Sequence, residues 1–170
     1  MILCKSQQSD DSDFFQESSK VFSIMLIDNN KNSAKNNNCN LKIQIDVCKY
    51  MFQLKYSNKK LKFAIITYGG ESFIRRSFTN DISLNNVLEN ITTDGFGKFF
   101  EGIKKSIKCF GKNTKNAQKR IHCFITQSNY IEKDDILTLK ELLQQNDIIL
   151  DLFLFLMIVL IQVYIIVYFQ

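Results

Sequence analysis

With 170 residues, 45% of them hydrophobic, the chain has the size and apolar content of one domain around one sizeable core, which leaves little room for a second. Its net charge of +5 is spread as Lys and Arg among Asp and Glu, without the dense basic stripe and interleaved aromatics of a nucleic-acid binder, so nucleic acid is not an expected partner. There is no Pro and Gly numbers 6, so boundaries must be read from polar clusters and changes of period, and no internal repeat is visible.

Residues 1–20 are polar and acidic around Ser9-Asp10-Asp11-Ser12-Asp13, lack the apolar run of a secretory signal, and are expected to form a loosely ordered tail. Val21 to Ile27 (VFSIMLI) is a nearly continuous apolar run, the pattern of a parallel strand covered on both faces, and Asp28 stands at its carboxyl end. After the polar stretch DNNKNSAKNNNCN, apolar residues recur at Leu41, Ile45, Cys48 and Phe52, widened by Val47, Met51 and Leu54, which predicts a crossover helix. Leu61 to Tyr68 (LKFAIITY) reads as a second buried strand, and after Gly69-Gly70 the alternation from Ser72 to Phe78 predicts a shorter edge strand joined to it as a hairpin.

Asp81 to Glu89 and Phe99 to Phe110 read as helices, the second with Phe99, Ile103, Ile107 and Phe110 along one face. Arg120 to Thr126 (RIHCFIT) is a further strand, Lys133 to Gln145 a helix with Ile136, Leu139 and Leu143 on one face, and an apolar run opens at Ile148. Strands and helices in alternation imply βαβ units, hence a doubly wound, mostly parallel α/β sheet flanked by helices.

From Leu152 to Phe169 the chain is apolar apart from Gln162, about the minimum length for a membrane-spanning helix. The same run begins inside a stretch, Ile148 to Phe155, that the fold needs as a central strand. Three readings follow: a truncated or misread end, a tail anchor, or a genuine strand and helix of the core. The domain is therefore expected over residues 21–155, with 156–170 a hydrophobic segment of unassigned role.

In an open parallel sheet, binding sites form beyond the carboxyl ends of the strands. Here that rim carries Asp28, Asn29, Asn30, Asn32 and Ser33 after the first strand, and Thr126, Gln127 and Ser128 after a later one. One carboxylate followed by short oxygen-bearing side chains at alternate positions suits a hard divalent ion such as Mg²⁺ in ligand type. A single carboxylate among amides, however, leaves the charge of such an ion uncompensated, so tight metal binding is not expected, and Asp28 is expected to hydrogen-bond its own loop.

Asp28, Asn30 and Asn32 occupy the positions of strand-Asp-x-Ser-x-Ser, and through them the chain resembles the von Willebrand factor A domains, in which that pattern is the metal-ion-dependent adhesion motif. Two of its three named positions differ, and where the family has Thr-Asp-Gly this chain has Thr126-Gln127-Ser128, so the resemblance implies a degenerate metal site. Within the superfamily, several segments resemble the amino-terminal domains of the multiubiquitin-binding subunits (non-ATPase subunit 4) of the 26S proteasome. These are Ile27-Asp28-Asn29-Asn30, Gly102-Ile103, Gly111-Lys112-Asn113 followed by Lys119-Arg120-Ile121, and the Asp-Ile-Ile-Leu-Asp-Leu segment.

That resemblance implies a protein-binding scaffold, without catalytic residues, docked between lid and base of the proteasome regulatory particle in cytoplasm and nucleus. Ubiquitin binding belongs to helical motifs that follow the domain in the family and are not seen here. Two rival members are the A-type subunit of the transcription and repair factor complex, marked by a cysteine-rich zinc module, and a membrane-anchored A domain that binds ligands through a cation.

The remaining chemistry-bearing residues favour plain roles. His122 lies inside a predicted strand and no GxSxG elbow exists, so a structural role is expected. Gly95-Phe96-Gly97-Lys98 lacks the spacing of a phosphate loop. Glu132, Asp134 and Asp135 open a predicted helix, where carboxylates favour the positive end of the dipole. Lys59-Lys60 and Arg75-Arg76 are basic pairs beside strands, open to an acidic partner but usually solvated. Cys4, Cys39, Cys48, Cys109 and Cys123 are odd in number, form no CxxC pair, and read as reduced thiols, several of them core fillers.

Overall fold

The computed structural model describes residues 20–31, 39–55, 59–81, 83–111, 114, 116–126, 133–155 and 164–166. In chain order these form β1 (Val21–Ile27), α1 (Cys39–Lys55), β2 (Leu61–Thr67), β3 (Phe73–Thr79), α2 (Leu84–Glu89), α3 (Phe99–Phe110), β4 (Gln118–Ile125), α4 (Lys133–Gln145), β5 (Ile148–Leu154) and β6 (Tyr164–Ile166). The strands make one sheet in the order β3-β2-β1-β4-β5-β6. β1 lies parallel to β2 and β4, and β5 parallel to β4, while β3, as long as β2 and not the shorter strand expected, and the three-residue β6 close the two edges antiparallel to their neighbours.

The parallel strands are apolar on both faces because helices cover both. Alternate residues of β1 feed two separate cores. Ile24 and Leu26 join Ala64, Ile66, Ile121 and Cys123 beneath Phe99, Ile103 and Phe110 of α3 and Leu143 of α4. Met25 and Ile27 join Phe63, Ile65 and Phe124 beneath Leu41, Cys48 and Phe52 of α1 and Leu84 and Leu88 of α2. Each buried Leu, Ile, Met or Phe among them contributes about 1.5–3 kcal/mol relative to exposure. The close approach of α3 depends on Gly102, where an added Cβ would stand 2.8 Å from Tyr68 Cβ.

Element ends shift from expectation where side chains capture backbone groups. Helix α2 begins at Leu84 rather than Asp81, because Asp81 caps it from outside, its Oδ1 accepting the Ser83 N–H at 3.1 Å and its carbonyl the Leu84 N–H at 3.2 Å. The edge strand spans Phe73–Thr79 rather than Ser72 to Phe78. Strand β4 starts at Gln118, whose N–H reaches Lys20 O at 2.9 Å, and stops at Ile125 because the Thr126 N–H turns out of the ladder to a carboxylate.

The apolar run at the carboxyl end contributes β5, so its first part is a sheet strand. Tyr164–Ile166 pairs with β5, carrying the sheet past residue 155. Among the described residues no helix is long and apolar enough to cross a membrane. Of the tail expected over residues 1–20, 1–19 lie outside the described residues, while Lys20 already joins the sheet, its carbonyl accepting the Gln118 N–H.

Candidate functional site at the carboxyl rim of the sheet

The chain passes from β1 through α1 on one face, and α3 leads into β4 from the other, so the crossovers diverge at the β1–β4 junction and leave a crevice beyond the strand ends. Asp28 sits in that crevice, fully buried. Helix α1 fixes its backbone through Gln44, a buried side chain on the apolar stripe. The Asp28 N–H donates to Gln44 Oε1 at 2.9 Å, and Gln44 Nε2 donates to Asp28 O at 3.0 Å. One amide thus satisfies both backbone groups where the ladder ends.

Four hydrogen bonds among the described residues reach the Asp28 carboxylate. Oδ1 accepts the Asn30 N–H at 3.2 Å and the Asn30 side-chain amide, and Oδ2 accepts the Thr126 N–H at 3.1 Å and its hydroxyl at 2.8 Å. The Asn30 amide also lies 3.4 Å from Thr126 Oγ1. Asn29 faces the other way: its Nδ2 donates to Thr92 O at 2.8 Å, its Oδ1 accepts the Gly69 N–H at 2.7 Å, and its carbonyl accepts the Asp94 N–H at 2.7 Å. A Cβ at Gly69 would fall 2.6 Å from that carbonyl, so the turn after β2 approaches closely because the residue is glycine.

The loop at Gly95-Phe96-Gly97-Lys98, ordinary by sequence, forms a wall of the crevice. The Lys31 N–H donates to Gly95 O at 3.0 Å and the Lys98 N–H to Tyr68 O at 3.0 Å. A Cβ at Gly97 would stand 3.6 Å from Asp28 Oδ1. Phe96 projects from this wall with 72% of its surface exposed. Beneath it Tyr68 is fully buried, its hydroxyl donating to Phe124 O at 2.5 Å. Burial pushes the Tyr68 phenol well up, and the nearby Cys123 and Asp28 add to the shift, so it remains a neutral donor.

The structure therefore brings together Asp28, Asn29, Asn30 and Thr126, while Asn32, Ser33, Gln127 and Ser128 lie outside the described residues. Gln44, Tyr68 and Gly97 belong to the same site and were not singled out by sequence. Their signal was faint: a polar residue on an apolar helix stripe, a tyrosine ending a buried run, and a glycine in a loop.

The described residues of this site do not fit a divalent cation. Mg²⁺ requires free oxygen donors and compensating negative charge. Here both oxygens of the single carboxylate already accept two protein donors each, and the described residues hold no cluster of acidic, His or Cys side chains that could bind a metal.

His122 lies away from the rim, in mid-strand. Its Nδ1 stands 2.9 Å from Asp151 Oδ2, and Arg120 grips the same carboxylate through Nε at 2.5 Å and Nη2 at 3.0 Å. Burial pushes the Asp151 carboxyl up, but hydrogen bonds from His122 and Arg120, and then their charges, more than offset it and hold the group at about 2. This cross-strand bridge joins β4 to β5 in register and was not foreseen. The thiols of Cys48 and Cys123 are buried and, like that of Cys109, free, and burial pushes all three up, which suits packing better than nucleophilic chemistry.

The sequence matches no protein-family model and no curated protein. Solved structures do resemble it. The SpRpn10 VWA domain aligns with 80% of this chain and 75% of its own, at TM-score 0.66 and 14% identity. A conserved hypothetical protein, BatB from Bacteroides thetaiotaomicron, aligns over 78% of this chain and 65% of its own, at TM-score 0.64 and 18% identity. A von Willebrand factor type A protein from Catenulispora acidiphila aligns over 82% of this chain and 34% of its own, at TM-score 0.66 and 11% identity. The chain thus spans three quarters of the first structure and less than two thirds of the other two. At such identities the likeness is one of architecture. Sheet order, helix placement and these neighbours agree on one conclusion: the chain has the von Willebrand factor A fold.

Proposed function

We propose that this domain is a non-enzymatic protein-binding scaffold that docks a neighbouring subunit through its rim without a metal ion. One observation carries the reading: the crevice, where the fold binds ligands, is filled by a carboxylate already satisfied by protein donors, while the wall beside it offers an exposed aromatic, Phe96. Exposed aromatic anchors ringed by polar groups supply most of the energy in protein interfaces. Lys31 and Asp94, exposed on the same two loops, would form the polar surround above a floor of buried Asn29, Asn30 and Thr126, with Gln127 and Ser128 following in sequence.

The finer reading is a component of the proteasome regulatory particle in ubiquitin-dependent protein degradation, acting in cytoplasm and nucleus. The segments around Asp28, Gly102 and Lys119-Arg120-Ile121 support it, as does the likeness to the SpRpn10 VWA domain. Ubiquitin itself and nucleic acid are not assigned as ligands of this chain.

The test is affinity purification of the tagged chain from its own cells in low detergent, with partners identified by mass spectrometry, beside a Phe96→Ala variant. Regulatory-particle subunits should dominate with the wild type and fall several-fold with the variant. Dominance of transcription-factor subunits or membrane proteins would overturn the finer reading, and an unaffected Phe96→Ala variant would overturn the rim as the docking surface.

A further inference from the structure

We propose that the groove between α3 and the start of β3 binds an extended acidic peptide that carries apolar side chains. The groove shares with the Asp28 crevice only Lys98, whose backbone closes the crevice wall while its side chain lines the groove, and it adds a second surface to the domain.

Helix α3 turns Phe99, Gly102, Ile103, Ser106 and Phe110 into the core. Its other side presents Lys98, Lys104, Lys105 and Lys108, which with Glu71 and Ser72 line a cavity of about 310 Å³. Glu101 in the same lining is engaged by Lys104 at 3.2 Å, and that ammonium also sits 4.2 Å from the centre of the Phe100 ring. The ion pairs between Lys or Arg and carboxylates among the described residues are Lys49–Glu89, Lys104–Glu101 and Arg120–Asp151, so Lys98, Lys105 and Lys108 enter none of them. The groove therefore keeps a surplus of positive charge facing solvent.

Its dimensions suit an extended chain. The ten steps from Lys98, at the cap of α3, to Lys108 rise about 15 Å, the length of four or five residues in β conformation. At the mouth, Ser72 leads directly into β3, whose Ile74 pairs with Ile66 of the core under α3, lies on that face of the sheet and is 42% exposed. β3 is a sheet edge whose outer side carries no strand partner among the described residues. An exposed edge offers backbone donors and acceptors to an incoming strand, as in peptide recognition by strand addition.

The same features disfavour a phosphate backbone. Glu71 and Glu101 interrupt the run of positive charge, and the lining offers no exposed aromatic on which bases could stack. The exposed apolar side chain of Ile74 and an open strand edge recognise peptide.

The experiment uses the full chain and a fluorescein-labelled peptide of about ten residues, glutamates with two leucines, followed by anisotropy at low salt. Binding should fall in about the 10–100 μM range and weaken as salt rises. The Lys98→Glu/Lys105→Glu/Lys108→Glu variant should lose about tenfold or more, and its Lys→Gln counterpart less, both with a wild-type circular dichroism spectrum. Phe96→Ala should bind the peptide as the wild type does, which separates this surface from the rim. Failure to bind, equal affinity in the charge-reversed variant, tighter binding of an oligothymidylate of equal charge, or equal binding of a glutamate peptide without leucine would each overturn the proposal.

Discussion

Thr126 and Asp28, 98 residues apart in the chain, are joined twice, because the backbone N–H and the hydroxyl of Thr126 both donate to Asp28 Oδ2. This pair ties the ends of β1 and β4 together at the point where the crevice opens. Thr126→Val keeps the side-chain shape and removes one donor from a fully buried carboxylate. The expected cost is about 1–3 kcal/mol, read as a lower urea midpoint at constant slope, with Thr126→Ser restoring most of it. An unchanged midpoint for Thr126→Val would show that the carboxylate does not depend on that hydroxyl.

Because both Asp28 oxygens are occupied, Mg²⁺ at about 10 mM should leave the thermal midpoint of the wild type unmoved. The triple substitution Asn30→Ser/Asn32→Ser/Gln127→Asp supplies the missing oxygen ligands and second carboxylate. It should gain roughly 2–3 kcal/mol when the ion is present at about 100 times its dissociation constant. Calorimetric scans with Mg²⁺ and with a chelator decide the matter, and a clear stabilisation of the wild type would contradict the geometry.

Asp151 predicts an acid limb in stability. Its carboxyl is held at about 2 rather than the ordinary 3.8, so the folded state binds the proton more weakly than the unfolded chain. The stabilisation is complete above about pH 4 and is lost as pH falls toward 2, in total roughly 2 kcal/mol. Asp151→Asn should flatten that part of the curve and, by removing the carboxylate that Arg120 and His122 share, lower stability near neutrality by about 2–4 kcal/mol. Urea titrations between about pH 2 and 7 on both proteins provide the measurement, and parallel curves would refute the assignment.

Gly102→Ala opposes two effects. Alanine gains about 1 kcal/mol in helix propensity. The new methyl would meet Tyr68 Cβ at 2.8 Å and Leu26 Cδ1 at 3.3 Å, and a Cβ tied to the backbone at a buried strand end cannot swing aside. Overpacking costs of about 1–3 kcal/mol should win, giving a net loss of about 1–2 kcal/mol by thermal or chemical denaturation. A stabilised variant would mean that α3 can lift without penalty.

Much of the architecture is legible in the sequence because burial on both faces leaves a plain mark. VFSIMLI and LKFAIIT are largely apolar without alternation, the mark of strands between two helical layers, and the stripe through Leu41, Ile45, Cys48 and Phe52 continues past Val47, where the rival alternation of Leu41, Ile43, Ile45 and Val47 stops. Asp28 and Thr126 were legible for a different reason: residues just beyond buried strands must face the rim. What could not be read was pairing across distance. Nothing in the surroundings of Gln44 announces that its amide will meet the backbone of Asp28, and nothing in Asp151 names Arg120 and His122 as its partners, since those contacts depend on strand register. The start of α2 was misjudged because Asp81 fits a helix by composition and a turn by its side-chain bond to Ser83.

The central place of β1 also sets a schedule. Its residues are paired on one side with β2 and on the other with β4, so Ile24 meets Ile121, a partner encoded almost a hundred positions later. During synthesis at about 5–20 residues per second, the strand emerges roughly 5–20 s before that neighbour exists. For that interval one edge of a strand with six of its seven residues destined for burial is uncovered. The nascent chain is therefore most prone to misassociate before β4 has left the ribosome, and a chaperone that holds the first hundred residues would act on β1 above all.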